Sequence, residues 1–183
     1  MRCNPVIIMT KNLKDAAEEI RAWFAGRIPD GWYTADPEVA VDRDEILIVG
    51  EIEEPSVERG ASDEARREAR LGRIERFREE TRDKRIGVAL AAERRFRRKV
   101  SWGAECGDVR RHFTTLSVPV MTRLRMAERS VLDTLVDAGV ARSRSHALAW
   151  CVALVARRQG EWLEDLREAF AEVERVRAEG PTV

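Results

Sequence analysis

The first clear rhythm in this chain runs over residues 11–27, KNLKDAAEEIRAWFAGR. Leu13, Ala16, Ala17, Ile20, Trp23 and Phe24 recur there at three- and four-residue spacing. That period predicts a helix with one apolar stripe, capped by Asn12 and ended by Gly26 and Pro29. Beyond the Pro29-Asp30-Gly31 turn the period shortens. Val39 and Val41 alternate with polar residues, and Ile46–Val49 is an aliphatic run rich in β-branched residues. This predicts a β-hairpin, with strands near 38–42 and 45–52 around the polar turn Asp42-Arg43-Asp44. Pro55, Ser56, Gly60 and Ser62 mark a loop.

From Ser62 the helical period returns. Ser62 followed by Asp63 and Glu64 is a start signal, because acidic groups favour the positive end of the helix dipole. Leu71, Ile74, Phe77 and Thr81 share one face, and six arginines between Arg66 and Arg78 occupy the others. The pattern slips near Asp83–Gly87, which predicts a break there. A second helical run then carries Ile86, Leu90, Glu93 and Phe96 to about Lys99. Ser101–Asp108, SWGAECGD, reads as a connector holding a buried tryptophan and a buried free thiol in a turn. His112–Met126 is rich in β-formers. Pro119 cannot donate a ladder bond, so the expected strand is Val120–Met126. Val120, Thr122, Leu124 and Met126 lie on one face of it, and Met121, Arg123 and Arg125 on the other.

Ala127–Ala138 then reads as a helix with the stripe Val131, Leu132, Leu135 and Val136, closed by Gly139. Val140–Arg142 makes a turn, and Ser143 caps a second helix that starts with Arg144, Ser145 and His146. A third stripe, from Trp162 through Leu163, Leu166, Phe170 and Val173 to Val176, predicts an amphipathic helix ending before Gly180-Pro181. The fold class expected is α+β, mainly helical. The expected domains are a helix, hairpin and arginine-rich helix domain over 1–110, a strand-helix-helix unit over 114–158, and a helical extension over 159–183. A lone strand has two unpaired edges, and two short helices bury little apolar surface. The strand-helix-helix unit is therefore expected to form a homodimer, with strands paired and helices closing one core.

Charge sharpens this picture. The formal net charge is zero, with 33 basic and 33 acidic residues, but the distribution is uneven. Residues 1–60 carry a net of −6, 61–115 of +6, 116–158 of +4 and 159–183 of −4. A neutral total can thus hide a basic face suited to a polyanion. The same charges can also pair along solvated helix faces, with Glu68, Glu75, Glu79 and Glu80 as partners for the arginines. Cys3, Cys106 and Cys151 are far apart and form no CxxC, the pattern of reduced thiols rather than disulfides or a zinc site. With no long apolar segment or leader core, the expected location is the cytoplasm, with no membrane contact.

The alternating VMTRLRM, the helix phrase LDTLVDAG and the turn-cap phrase ARSRSHALAW carry a resemblance. Residues 118–155, about a fifth of the chain, resemble the ribbon-helix-helix superfamily of MetJ/Arc type. His146 stands where an acidic residue would complete a capping box, and Met126 where many members have proline. The resemblance implies a homodimer whose two-stranded ribbon enters the major groove of duplex DNA. It implies base contacts from Met121, Arg123 and Arg125, and a phosphate held at the second helix start by Arg142, Ser143, Arg144 and Ser145. The function expected is a sequence-specific DNA-binding regulator without cofactor, metal or catalytic residues. Residues 66–99 would add phosphate contacts without sequence readout.

Two alternatives stay open. An antitoxin-like or adaptor protein would use the unit mainly to dimerise, with the N-terminal domain or C-terminal helix binding a protein partner. A metal-dependent nuclease would use carboxylates among Glu45, Glu51, Glu53 and Glu54. Against an enzyme stand the two histidines, His112 and His146, and the lack of HExxH, GxSxG and P-loop patterns.

Overall fold

The computed structural model describes residues 11–58 and 60–179. Cys3 and the expected stop at Gly180-Pro181 lie outside the described residues, and the Asn12 cap and Leu13 lie outside the described side chains. The fold is α+β and mainly helical, in two compact units that divide between Val118 and Pro119.

The first unit opens with α1, Lys11–Ala25, followed by β1, Glu38–Val41, and β2, Glu45–Glu51. Asp42 makes the hairpin turn: its Oδ1 accepts from the N–H of Asp44 at 2.8 Å and of Glu45 at 2.6 Å. This is the local bonding by which aspartate stabilises tight turns. The chain then crosses through α2, Asp63–Glu80, and α3, Arg82–Phe96, to β3, Lys99–Cys106, which pairs parallel with β2 from Glu45↔Lys99 to Glu51↔Glu105. A two-residue turn at Gly107-Asp108 leads to β4, Val109–His112. The sheet order is β1-β2-β3-β4, with both outer strands antiparallel to their neighbours.

Three expectations need correction in this unit. The segment Ser101–Asp108 is not a connector: its first six residues lie in β3, in the middle of the sheet. Ser101, Trp102, Gly103 and Ala104 are all buried, so no polar alternation marks the strand. Small residues are required here: a Cβ on Gly103 would lie 2.8 Å from the Arg111 carbonyl oxygen. The helix break falls at Thr81, not at Asp83–Gly87, which is helical. Thr81 Oγ1 donates to the Phe77 carbonyl at 2.6 Å, a back-bond that bends helices. Finally α3 stops at Phe96 rather than near Lys99, because Arg97 takes the left-handed conformation at φ +58.

Ala17, Ile20 and Phe24 of α1 are fully buried, as the stripe predicts. Edge-on aromatic contacts tie the elements together: Phe24 to Trp102, Trp23 to Phe96, and Trp32 to both Phe77 and Trp102. Phe77 sits among Trp32, Tyr33 and Phe113, over Ile52, Ala104, Cys106 and Val109. Tyr33 reaches this core only because residue 50 is glycine. A Cβ there would lie 2.2 Å from the Tyr33 ring.

The second unit contains α4, Met126–Asp137, α5, Arg144–Arg158, and α6, Gly160–Glu179. Met126 is thus the first helical residue, not the end of a strand. Residues 119–125 pair with no strand among the described residues. Leu132, Ala141 and Ala147 form a small buried cluster, with Leu124, Leu135, Val136, Leu148 and Cys151 packed against it. No helix among the described residues is long and apolar enough to cross a membrane.

Candidate nucleic-acid interface

The turn between α4 and α5 is built by local bonding. Gly139 adopts φ +73, where a side chain would be strained, and its N–H donates to the Val136 carbonyl at 3.0 Å. The Ala141 N–H donates to Leu135 at 3.0 Å and seats the buried Ala141 methyl between the helices. Ser143, in extended conformation, caps α5: its Oγ accepts from the His146 N–H at 3.3 Å. His146 also does what the missing acid of a capping box would do. Its Nδ1 accepts from the Arg142 backbone N–H at 3.3 Å, one residue before the cap.

The start of α5 gathers Arg142, Ser143, Arg144 and Ser145, all exposed, as the sequence indicates. Arg144, however, is already occupied. Its Nε and Nη2 donate to the two carboxylate oxygens of Asp133 at 2.6 and 2.7 Å, a bidentate pair linking α5 to α4. Arg142 keeps its charge outward and makes no ion pair among the described residues. Met121, Arg123 and Arg125 lie on the segment before α4, with Met121 94% exposed. Arg125 is the backbone N-cap of α4 and gives no side-chain cap. Arg129 of α4 donates to the Leu124 carbonyl at 2.8 Å and ties this segment to the helix. Asp133, Arg129 and the capping role of His146 were missed in the sequence. Only the three-residue offset of His146 from Ser143 carried a signal for any of them.

Arg144 holds the Asp133 carboxyl below the ordinary carboxylate range by hydrogen bonding. The folded form therefore binds that proton more weakly than the unfolded chain does. The pair's contribution to stability is complete above the unfolded carboxyl value, about 3.9, and is lost as pH falls through the lower folded value. An Asp133→Asn variant is thus expected to melt below the wild type at neutral pH. The two melting temperatures should converge in acid, once the wild-type carboxyl is protonated. Equal melting at neutral pH in a pH series of thermal melts would show that the pair contributes nothing.

The basic stretch of the first unit pairs mostly with other elements. Arg70 bridges Glu54 and Asp108, Arg95 reaches Glu19, and Arg76–Glu80 is a pair within α2. Of the carboxylates considered for metal chemistry, Glu54 belongs to Arg70, and no group that could hold a metal ion occurs among the described residues.

Comparison with known proteins divides the chain at nearly the same place as the fold does. Residues 18–112 match the family described as Rv1265-like protein, N-terminal domain, and residues 125–177 match the Mb1296 C-terminal domain. Mb1296 of Mycobacterium bovis is 54% identical over 159 residues, covering 87% of this chain and 69% of the relative. Rv1265 of Mycobacterium tuberculosis matches with the same identity and coverage. Both carry the description of uncharacterized protein, so neither name states an activity. No solved structure matches the chain. With about half of its residues in the N-terminal domain match and most of its length aligned to these relatives, the chain belongs to the Rv1265-like family.

Proposed function

We propose that the protein is a homodimeric, sequence-specific DNA-binding regulator that reads the major groove with a two-stranded ribbon formed by residues 120–125 of each copy. The observation that carries this reading is the segment before α4. It is held to α4 by Arg129 and Leu124, pairs with no strand among the described residues, and leaves Val120 85% and Met121 94% exposed. Exposed backbone and apolar side chains in that arrangement call for a second copy. The helices agree: Met126, Val131, Val140, Val152 and Val155 are exposed around a buried cluster of only three residues. Pairing two copies antiparallel would close the core and turn Arg123 and Arg125 to one outer face.

In that dimer, Arg123 and Arg125 would donate to base edges, and Met121 would pack beside them. Ser143, Ser145, Arg142 and the first N–H groups of α5 would hold a backbone phosphate. Arg144 would act differently from its neighbours: paired with Asp133, it orients the cap rather than meeting the phosphate.

Light scattering coupled to size exclusion should report a dimer at micromolar concentration. Selection from random duplex DNA should enrich a two-fold symmetric site. Affinity should fall steeply with added salt. A monomer that binds no duplex at low salt would overturn the reading. A second reading, a dimerising adaptor, is favoured by one feature: Trp162, Leu166, Phe170, Val173 and Val176 form an exposed stripe along α6. A dimer that enriches no DNA site but co-purifies with one defined protein would favour it.

A further inference from the structure

The junction of α2 and α3 holds a buried cation with no acidic partner among the described residues. Arg85 is 7% exposed. Its Nε donates to Thr81 Oγ1 at 2.9 Å, and its Nη2 donates to the Arg78 carbonyl at 2.6 Å. Its guanidinium carbon lies 4.7 Å from the centre of the Phe113 ring. All three partners are neutral. They fix the guanidinium in place but do not cancel its charge, and burying an uncompensated charge is costly.

The surroundings add to the positive charge. Hydrogen bonds bridge the break at Thr81, whose N–H bonds back to Phe77 while the Arg85 N–H bonds back to Thr81. Arg78, Arg82 and Arg85 therefore follow one another at four and three residues, the first two exposed and Arg85 buried in line with Phe77 and Thr81. Like charges at that spacing repel. Glu75 and Glu79 each stand one turn ahead of an arginine, Arg78 and Arg82. Yet Arg78, Arg82 and Arg85 enter none of the ion pairs among the described residues, whereas Arg76, two residues before Arg78, is paired with Glu80. Burial lowers the Arg85 pKa, and Arg78 and Arg82 push it in the same direction. The Tyr33 phenol is the group that opposes them, but burial pushes its own pKa up, so it stays protonated as a neutral donor. Its hydroxyl is buried and has no hydrogen-bond partner among the described residues.

We propose that this corner is a receptor for a phosphate-type oxyanion, with Arg78 and Arg82 as its exposed clamps and Arg85 as its fixed, buried cation. The proposal is independent of the ribbon reading, because it uses residues of the first unit alone. Guanidinium forks suit phosphate oxygens, which accept two parallel N–H bonds. A bound dianion would supply the charge that the fold leaves out and relieve the repulsion along the helix. The oxyanion can come from a free phosphoanion or from a nucleic-acid backbone, and two probes separate these sources.

The 183-residue protein is titrated at low ionic strength with inorganic pyrophosphate by calorimetry, and with a short random-sequence duplex by fluorescence anisotropy. The same titrations are run on the double variant Arg78→Gln/Arg82→Gln, whose altered side chains are exposed, so its circular dichroism should match the wild type. Arg85→Lys is run alongside. At least one probe should bind the wild type saturably, and the double variant should weaken it by about tenfold or more, the scale expected when charge-assisted hydrogen bonds are removed. A response to pyrophosphate assigns the site to a free phosphoanion. A response to the duplex alone, with a salt slope reduced by about two in the double variant, assigns it to nucleic-acid phosphates. If Arg85→Lys fails to fold, the double variant decides. Neither probe binding the wild type, or a loss smaller than tenfold for every probe that binds, overturns the proposal.

Discussion

A Phe77→Ala variant should lose about 3–5 kcal/mol of stability in the first unit. That is a large part of the roughly 5–15 kcal/mol available to a typical domain. Phe77 is 3% exposed and lies within 6.2 Å, centre to centre, of the rings of Trp32, Tyr33 and Phe113. Removing its ring deletes that packing and leaves a void between α2 and the sheet that rigid aromatic neighbours cannot fill. The loss also reaches the helix junction, since Thr81 and Phe113 help hold Arg85. Urea denaturation followed by tryptophan fluorescence reads the change, because Trp23, Trp32 and Trp102 all lie in this unit. Phe77→Leu should recover most of the stability, since it refills much of the volume. A Phe77→Ala loss below about 1 kcal/mol would mean that the aromatic cluster is not the core's keystone.

The elements most legible in the sequence are those whose signal is local. The hairpin could be placed because Asp42 both breaks the strand pattern and bonds the turn, and α5 because a serine cap is a single-residue signature. The third strand was hidden for a physical reason. A central strand buried on both faces loses its alternation, and here it is built from Ser101, Gly103 and Ala104, small residues that resemble a turn. The slip in the apolar pattern places the break near Asp83–Gly87, whereas the threonine back-bond at Thr81 bends the helix without any change in composition. At the candidate interface the individual residues could be listed, but not their pairings. Asp133 and Arg144 are 11 positions apart and meet only because the α4–α5 turn folds them together. Whether an arginine is free or already engaged is decided by such long-range partners, which periodicity does not encode. The uncompensated charge of Arg85 was invisible for the same reason: in the sequence it is one arginine among many.

Arg123→Ala/Arg125→Ala should abolish sequence preference while leaving a dimer. Each arginine that donates two bonds to a guanine edge discriminates by about 1–3 kcal/mol. The proposed dimer would present four such side chains, so the double variant should lose at least about two orders of magnitude in the ratio of specific to random-duplex affinity. Neither side chain is needed for the fold. Both are exposed, and the segment is held by Leu124 and by the bond from Arg129 to its carbonyl, which the substitutions leave in place. Arg142→Gln should behave differently, weakening specific and random duplexes alike and lowering the salt slope by about one for each phosphate that is no longer neutralised. Arg144→Gln separates the roles further: with Asp133 left unpaired, it should reduce thermal stability in neutral buffer, with little change in the salt slope. Anisotropy titrations against the selected site and a scrambled duplex, at several salt concentrations, resolve all three patterns. If the Arg123 and Arg125 double variant kept wild-type selectivity, the segment before α4 would not be the reader. The dimer would then have to find its specificity elsewhere or have none.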